Sequence, residues 1–320
     1  MFPQVRHIGL FAAVAFAFSA SGAKAAQPCD RTCLIGMVDR YLAAMVKHDP
    51  SDLPLSKTLK YTENTATIPM GDGLWMGASE GPGTFRIYAV DPTSEQVGFF
   101  GPIKEWNRPV LLALRLKIVD GSIAEIEHVV ARNMGGPGMA NLVTARAAFG
   151  ETVPSAERVS RQEMARIANS YFDSIEQTKS SIAPFAADCT RHENGTQTTT
   201  NVPAAPTGNA LRDAQAKVDR LNCGDQIDTG NLSYITSIRP RRLVIVDEEK
   251  GLVFGFPMFV HRGNVRTVKI TGVPGVESLP KDFGPINLMA GEIFKIRGGK
   301  IHEIEANGFL LPYNAGNGWE

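Results

Sequence analysis

Residues Leu116–Glu127 read LKIVDGSIAEIE, and residues Phe294–Glu305 read FKIRGGKIHEIE. Each is an alternating apolar run, a tight turn carrying glycine, and a second alternating run. That pattern predicts strand, turn, strand. The likeness extends outward in the same chain order. Leu34, Met37, Val38, Tyr41, Leu42 and Met45 are matched, 130 residues on and without a gap, by Met164, Ile167, Ala168, Tyr171, Phe172 and Ile175. Spacings of three and four make both runs amphipathic helices. The same offset carries Tyr61-Thr62-Glu63-Asn64 onto Arg191-His192-Glu193-Asn194. Val90-Asp91 followed by Val97-Gly98-Phe99 resembles Val246-Asp247 followed by Phe254-Gly255-Phe256, which reads as two strands about a short polar turn. Independent matches in one order imply an internal duplication.

The second copy opens with Ser160-Arg161-Gln162-Glu163, a capping-box pattern. It also holds about 20 extra residues between Asn194 and Tyr234. Thr196–Gly208 is rich in Thr, Pro, Ala and Asn and reads as a loop. Ala210–Leu221 then predicts a short helix, with Gly224 as the glycine beyond its end. The expected organisation is a module over 29–134, a linker over 135–158, and a second module over 159–314 with an insert at about 196–230.

Before the first module, Arg6 and His7 precede an uncharged apolar run from Ile8 to Ala20, and Ala23-Lys24-Ala25 supplies a small-residue cleavage pattern. Residues 1–25 therefore predict a signal peptide, too short for a permanent membrane span. Its removal takes Arg6 and Lys24 and no acid, leaving 31 basic and 33 acidic residues, a formal charge of −2. Nucleic-acid and membrane-surface binding call for a basic excess that this chain lacks. A periplasmic or secreted protein is expected, with no membrane association after cleavage.

An exported chain with four cysteines favours disulfides. Cys189 and Cys223 bracket the insert and are expected to pair. Cys29 and Cys33 sit four apart at a helix start, where bonding needs some unwinding, and their state is left open. No Cys or His pair elsewhere has zinc-ligand spacing, so no metal site is expected.

A helix, a short strand near its end, then longer antiparallel strands closing on a glycine hairpin: this order resembles the nuclear transport factor 2-like superfamily, which includes SnoaL-like cyclases, ketosteroid isomerase and scytalone dehydratase. The resemblance covers residues 30–132 and 160–312. Within it, Cys29–Cys33, Tyr41–Ala44, Asp49–Leu55, Thr62–Asn64 and Gly71–Trp75 look like a group of exported proteins of unassigned function. The resemblance implies an α+β fold of two tandem cone-shaped modules. In each, a curved antiparallel sheet wraps a long N-terminal helix, and the two modules form an internal pseudo-dimer with further homo-oligomers allowed.

It also implies an apolar pocket in which an acid or histidine moves a proton without metal or organic cofactor. The acid's place in the family falls on Glu63-Asn64 and Glu193-Asn194. His128 on the closing strand joins Glu63 and Asn64 as the catalytic candidates. Tyr41, Trp75, Arg132, His192, Glu193 and Asn194 are the substrate-binding candidates. Trp75 would wall the pocket and Arg132 would meet an anionic or phenolic oxygen. The expected function is a lyase or isomerase (dehydration, double-bond migration or formaldehyde loss) acting on a small hydrophobic, aromatic, oxygenated molecule. The alternative is an exported protein that binds such a molecule without changing it. No nucleotide-binding glycine loop, G-x-S-x-G elbow or H-E-x-x-H occurs.

Overall fold

The computed structural model describes residues 1, 3, 4, 28–132, 134–203 and 205–320. Apart from Met1, Pro3 and Gln4, the predicted signal peptide lies outside the described residues. Elsewhere the chain is α+β and rich in antiparallel strands. Helix α1 (Arg31–Lys47) opens the first half, and Asp30 caps it by accepting from the Cys33 N–H. Then come β1 (Leu55–Glu63), β2 (Ala66–Thr67), a short α2 (Leu74–Gly77), β3 (Ala78–Glu80), β4 (Ile87–Asp91), β5 (Gln96–Glu105), β6 (Arg108–Val119) and β7 (Ser122–Ala131). The second half repeats the plan with α3 (Arg161–Gln177), β8 (Phe185–Glu193) and β9 (Thr196–Gln197), followed by α4 (Ala210–Asp219) and α5 (Cys223–Asp228) in the insert. It closes with β10 (Ser237–Asp247), β11 (Leu252–His261), the small hairpin β12 (Thr267–Lys269) and β13 (Ser278–Pro280), β14 (Ile286–Arg297) and β15 (Lys300–Pro312).

The two large sheets share one strand order. The first runs β2-β1-β7-β6-β5, with β3 and β4 both on β5, and the second runs β9-β8-β15-β14-β11-β10. In each, the strand after the helix pairs parallel to the last strand, β1 with β7 and β8 with β15. All other pairings within the two sheets are antiparallel. The apolar stripes of the helices explain their placement. Leu34, Val38, Tyr41, Leu42 and Met45 bury against the first sheet, and Met164, Ile167, Tyr171, Phe172 and Ile175 against the second.

The faces turned away from the helices pack on each other. Phe100, Leu111, Ala113 and Val129 of the first sheet form one buried cluster with Phe254, Phe256, Met289 and Ile293 of the second. Pairing register shows how the halves correspond. Leu114 faces His128 as Glu292 faces Ala306, and Val97 faces Leu116 as Val253 faces Phe294. Val97-Gly98-Phe99 thus matches Val253-Phe254-Gly255, one residue from the alignment expected from sequence, because glycine and phenylalanine exchange places across the interface. Gly98 is bare because the Phe254 ring lies on it; a Cβ there would come within 2.2 Å of that ring. Gly291 meets its own counterpart, Ala113, just as closely. Asn307 ties the sheets together by donating to the carbonyls of Leu111 (2.9 Å) and Val129 (2.8 Å).

Local chemistry departs from expectation at three points. Ser160 does accept from the Glu163 N–H, but the Glu163 side chain pairs with Arg166 instead of closing the capping box. Helix α4 ends at Asp219, and Asn222 caps α5, so Gly224 lies inside that helix and is not a stop. The segment between the halves is built, not loose. Arg146 reaches Glu305 (3.0 Å) and the Ile304 carbonyl (2.7 Å), and Phe149 is buried between the sheets. Both disulfides are present, Cys189–Cys223 and also Cys29–Cys33. No helix among the described residues is long and apolar enough to cross a membrane.

Candidate functional site

The interior of the first sheet brings several sequence candidates together. Glu63 ends β1, opposite His128 on β7. Its Oε1 accepts from Arg132 (2.7 Å), and its Oε2 accepts from the Leu74 N–H (2.7 Å) and the Tyr61 hydroxyl (3.3 Å). His128 lies between two phenols, 2.9 Å from Tyr41 and 3.3 Å from Tyr61, while Trp75 donates to the Tyr41 oxygen (2.8 Å). Edge-to-face contacts of Tyr41 with Trp75 and His128, and of Tyr61 with His128, fill the space between them. Arg132 is clamped a second time by Glu105 (2.6 and 2.7 Å). Burial favours a neutral Glu63, but His128, Arg132 and the Leu74 N–H outweigh it and hold the carboxyl down at about 2. Every oxygen of this acid is used, and the rings around it are buried.

Asn64 and Asn194 do the same structural task in the two halves. Each takes positive φ after its glutamate and clips the facing strand through both amide groups, Asn64 on the Val130 backbone and Asn194 on that of Gly308. His192 points to the opposite face from Glu193. There burial, and then the charge of Arg146, push its pKa down to about 4.

The second sheet encloses a cavity of about 350 Å³. Register explains its existence. Where the first sheet carries Leu112, His128 and Val130, the second carries Ala290, Ala306 and Gly308, all three on the cavity wall. Small residues vacate what larger ones fill in the other half. Aromatic side chains line much of the rest: Tyr171 from α3, Tyr234 after α5, Phe259 and His261 from β11, and Phe283. His261 is turned to the backbone, with Nδ1 2.8 Å from the Tyr234 carbonyl and Nε2 3.3 Å from that of Phe283.

Two carboxyls line this cavity, Glu193 and Glu292. Glu193 is half-exposed and paired with buried Arg191 at 2.7 Å. Arg191 also donates to the Tyr171 hydroxyl (3.3 Å) and to Gln226, a residue supplied by the insert. The Cys189–Cys223 bridge ties the start of α5 to β8, three residues before Gln226 and two before Arg191. Glu292 is of another kind. It is 2 % exposed, and its Oε2 is buried without a hydrogen-bond partner. Burial, and then the charge of Glu193, push its pKa up to about 8, against the opposing pull of Arg191 and the Tyr171 hydroxyl.

Glu292 was not among the residues expected from sequence. Its counterpart is Leu114, so the repeat gives it no partner; its one signal is a lone acid in the apolar run of β14. Tyr171 and Arg191 were aligned with Tyr41 and Tyr61 but assigned no chemistry.

Residues 157–308 match a family model described as a domain of unknown function, DUF8021. The matched stretch runs from just before α3 into β15 and includes Glu193, Glu292 and most of the cavity wall. No curated protein matches the chain.

Proposed function

We propose that the chain is an exported, tandemly duplicated member of the nuclear transport factor 2-like superfamily. In this reading two cone-shaped modules pair sheet to sheet as an internal pseudo-dimer, and only the second carries a working pocket. Shared strand order, the common helix–strand plan and the buried seam between the sheets support it. The two disulfides fit an oxidising compartment.

The pocket is read as that of a lyase or isomerase for a small hydrophobic, oxygenated molecule. One observation carries this: Glu292, a buried acid with an unpartnered oxygen, lines an otherwise mostly apolar cavity. A carboxyl near 8 is protonated at neutral pH and has a proton to give, while Glu193 sits in a polar, Arg191-paired setting at the same cavity. Two acids in contrasting environments divide the roles of donor and acceptor. In a dehydration, Glu193 takes the proton from carbon, the C–O bond breaks as Glu292 gives its proton to the departing oxygen, and water leaves. In a double-bond migration, Glu292 and the Tyr171 hydroxyl hydrogen-bond to the oxygen on which negative charge gathers.

The second reading is a binding protein without turnover, favoured by the predominance of aromatic and aliphatic wall residues. A thermal-shift screen against aryl compounds, polyketides and steroids, with product analysis of each hit, separates the two. Stabilisation with conversion by wild type and none by Glu292→Gln supports the enzyme. Stabilisation without conversion supports the carrier.

A further inference from the structure

The two halves differ in where they keep a positive charge. In the first, the interior acid Glu63 has a counter-ion built into the chain, Arg132 at 2.7 Å. In the second, pairing register puts Leu310 at the position of Arg132, and Leu310 lies on the cavity wall. The acid equivalent to Glu63, Glu193, takes its cation from Arg191 instead, while the second acid of this half, Glu292, forms no ion pair among the described residues.

We infer that the ligand of the second pocket supplies the cation that Glu292 lacks, a protonated amine on an aromatic or aliphatic body, and that its ammonium group pairs with Glu292. The inference rests on the reading of this cavity as a ligand site and narrows its ligand class. Because the ammonium leaves Glu292 ionised, it goes with the binding reading, in which Glu292 gives no proton to the ligand.

Among the described residues, no lysine or arginine lines the cavity. The groups that surround Glu292 are committed elsewhere. Arg191 is held by Glu193, Tyr171 and Gln226; His261 faces two carbonyls; and Lys281 donates to Asn231 (3.1 Å) over the Tyr234 ring. An ionised carboxylate with one oxygen bare is unfavourable in such a place, and an ammonium group would satisfy the bare Oε2. Tyr171, Tyr234, Phe259 and Phe283 add aromatic rings, which attract cations. A ligand anion would meet two carboxyls. The proton balance is defined: the ammonium binds, Glu292 ionises, and its proton passes to solvent.

The test compares 2-phenylethylamine, 2-phenylethanol and phenylacetate by calorimetric titration of the mature protein at neutral pH, in two buffers of different ionisation enthalpy. The amine is expected to bind at least roughly tenfold more tightly than the alcohol, with proton release, and phenylacetate to bind least. Glu292→Gln is expected to remove the amine preference. Leu310→Arg, which puts a fixed cation on the cavity wall and leaves Glu292 in place, is expected to do the same. Alcohol binding as tight as amine binding, amine binding without proton release, or no binding of the amine would each overturn the inference. Alcohol binding that depends on Glu292 would sink the amine while leaving the acid–base reading standing. The carrier and enzyme readings are separated independently by product analysis.

Discussion

Asp91 and Asp247 occupy equivalent places in the two halves, and each closes the other's strand end. Asp247 accepts from the Val90 N–H (2.9 Å), and Asp91 accepts from the Val246 N–H (3.2 Å). The exchange includes the helices: Arg31 of α1 pairs with Asp247 of the second half, and Arg161 of α3 pairs with Asp91 of the first. Arg31 and Arg161 are themselves equivalent, the first residue of each helix. The symmetry of the clasp follows from duplicated sequence meeting its own copy.

Both aspartates are buried, and removing Asp91 takes the carboxylate partner from Arg161 and the acceptor from the Val246 N–H together. Asp91→Ala is expected to lower unfolding free energy by about 3 kcal/mol. Chemical denaturation of Asp91→Ala, Arg161→Ala and the double variant should give strongly non-additive losses. Additive losses would mean that the pair is not coupled.

Glu292 makes stability depend on pH in a stated direction. Its folded pKa is raised, so the folded state holds the proton more tightly than the unfolded chain does. The associated stability is complete below the ordinary carboxyl range, near 4.5, and is lost as pH climbs through about 8. Thermal unfolding across this window should show wild type falling relative to Glu292→Gln by an amount on the order of a few kcal/mol. Parallel curves would contradict the placement of this acid. Glu63 has the opposite sign: held down at about 2, it contributes stability that disappears only as pH falls towards that value.

The size of the cavity is expected to follow three side chains. Ala290→Leu, which installs the residue found at Leu112, should abolish ligand-induced stabilisation while leaving the apo protein folded. Trp75→Ala in the first half should instead cost about 3–5 kcal/mol and create no ligand response. Differential scanning fluorimetry with and without ligand reads both effects.

The insert depends on its staple. Cys223→Ala should remove about 3–4 kcal/mol, the chain-entropy value for a closed loop of this size. Because α5 carries Gln226 onto Arg191, the same variant should weaken ligand binding. Unchanged binding would show that the rim holds its shape without the bridge.

The duplication was legible in sequence because helix stripes and hairpin alternation repeat at fixed offsets, and those patterns are what the two sheets require. The meeting of Tyr41, Glu63, Trp75, His128 and Arg132 was legible as a set of candidates. Their mutual saturation was not, since it depends on the Leu74 N–H and Glu105 arriving from elsewhere in the chain. The one-residue slip at Gly98 and Phe254 arose because the two exchange size across the sheet-to-sheet seam, a contact that no single strand records. The cavity itself is written in Ala290, Ala306 and Gly308, but small residues in a strand announce an opening only when the larger counterparts across the repeat are set beside them.

The most direct measurement is product analysis of the first stabilising ligand after incubation with wild type, Glu292→Gln and Glu63→Gln. Conversion by wild type and by Glu63→Gln, with loss in Glu292→Gln despite retained binding, is the predicted result. Conversion that survives Glu292→Gln but fails in Glu63→Gln would place the chemistry in the first half and contradict this account.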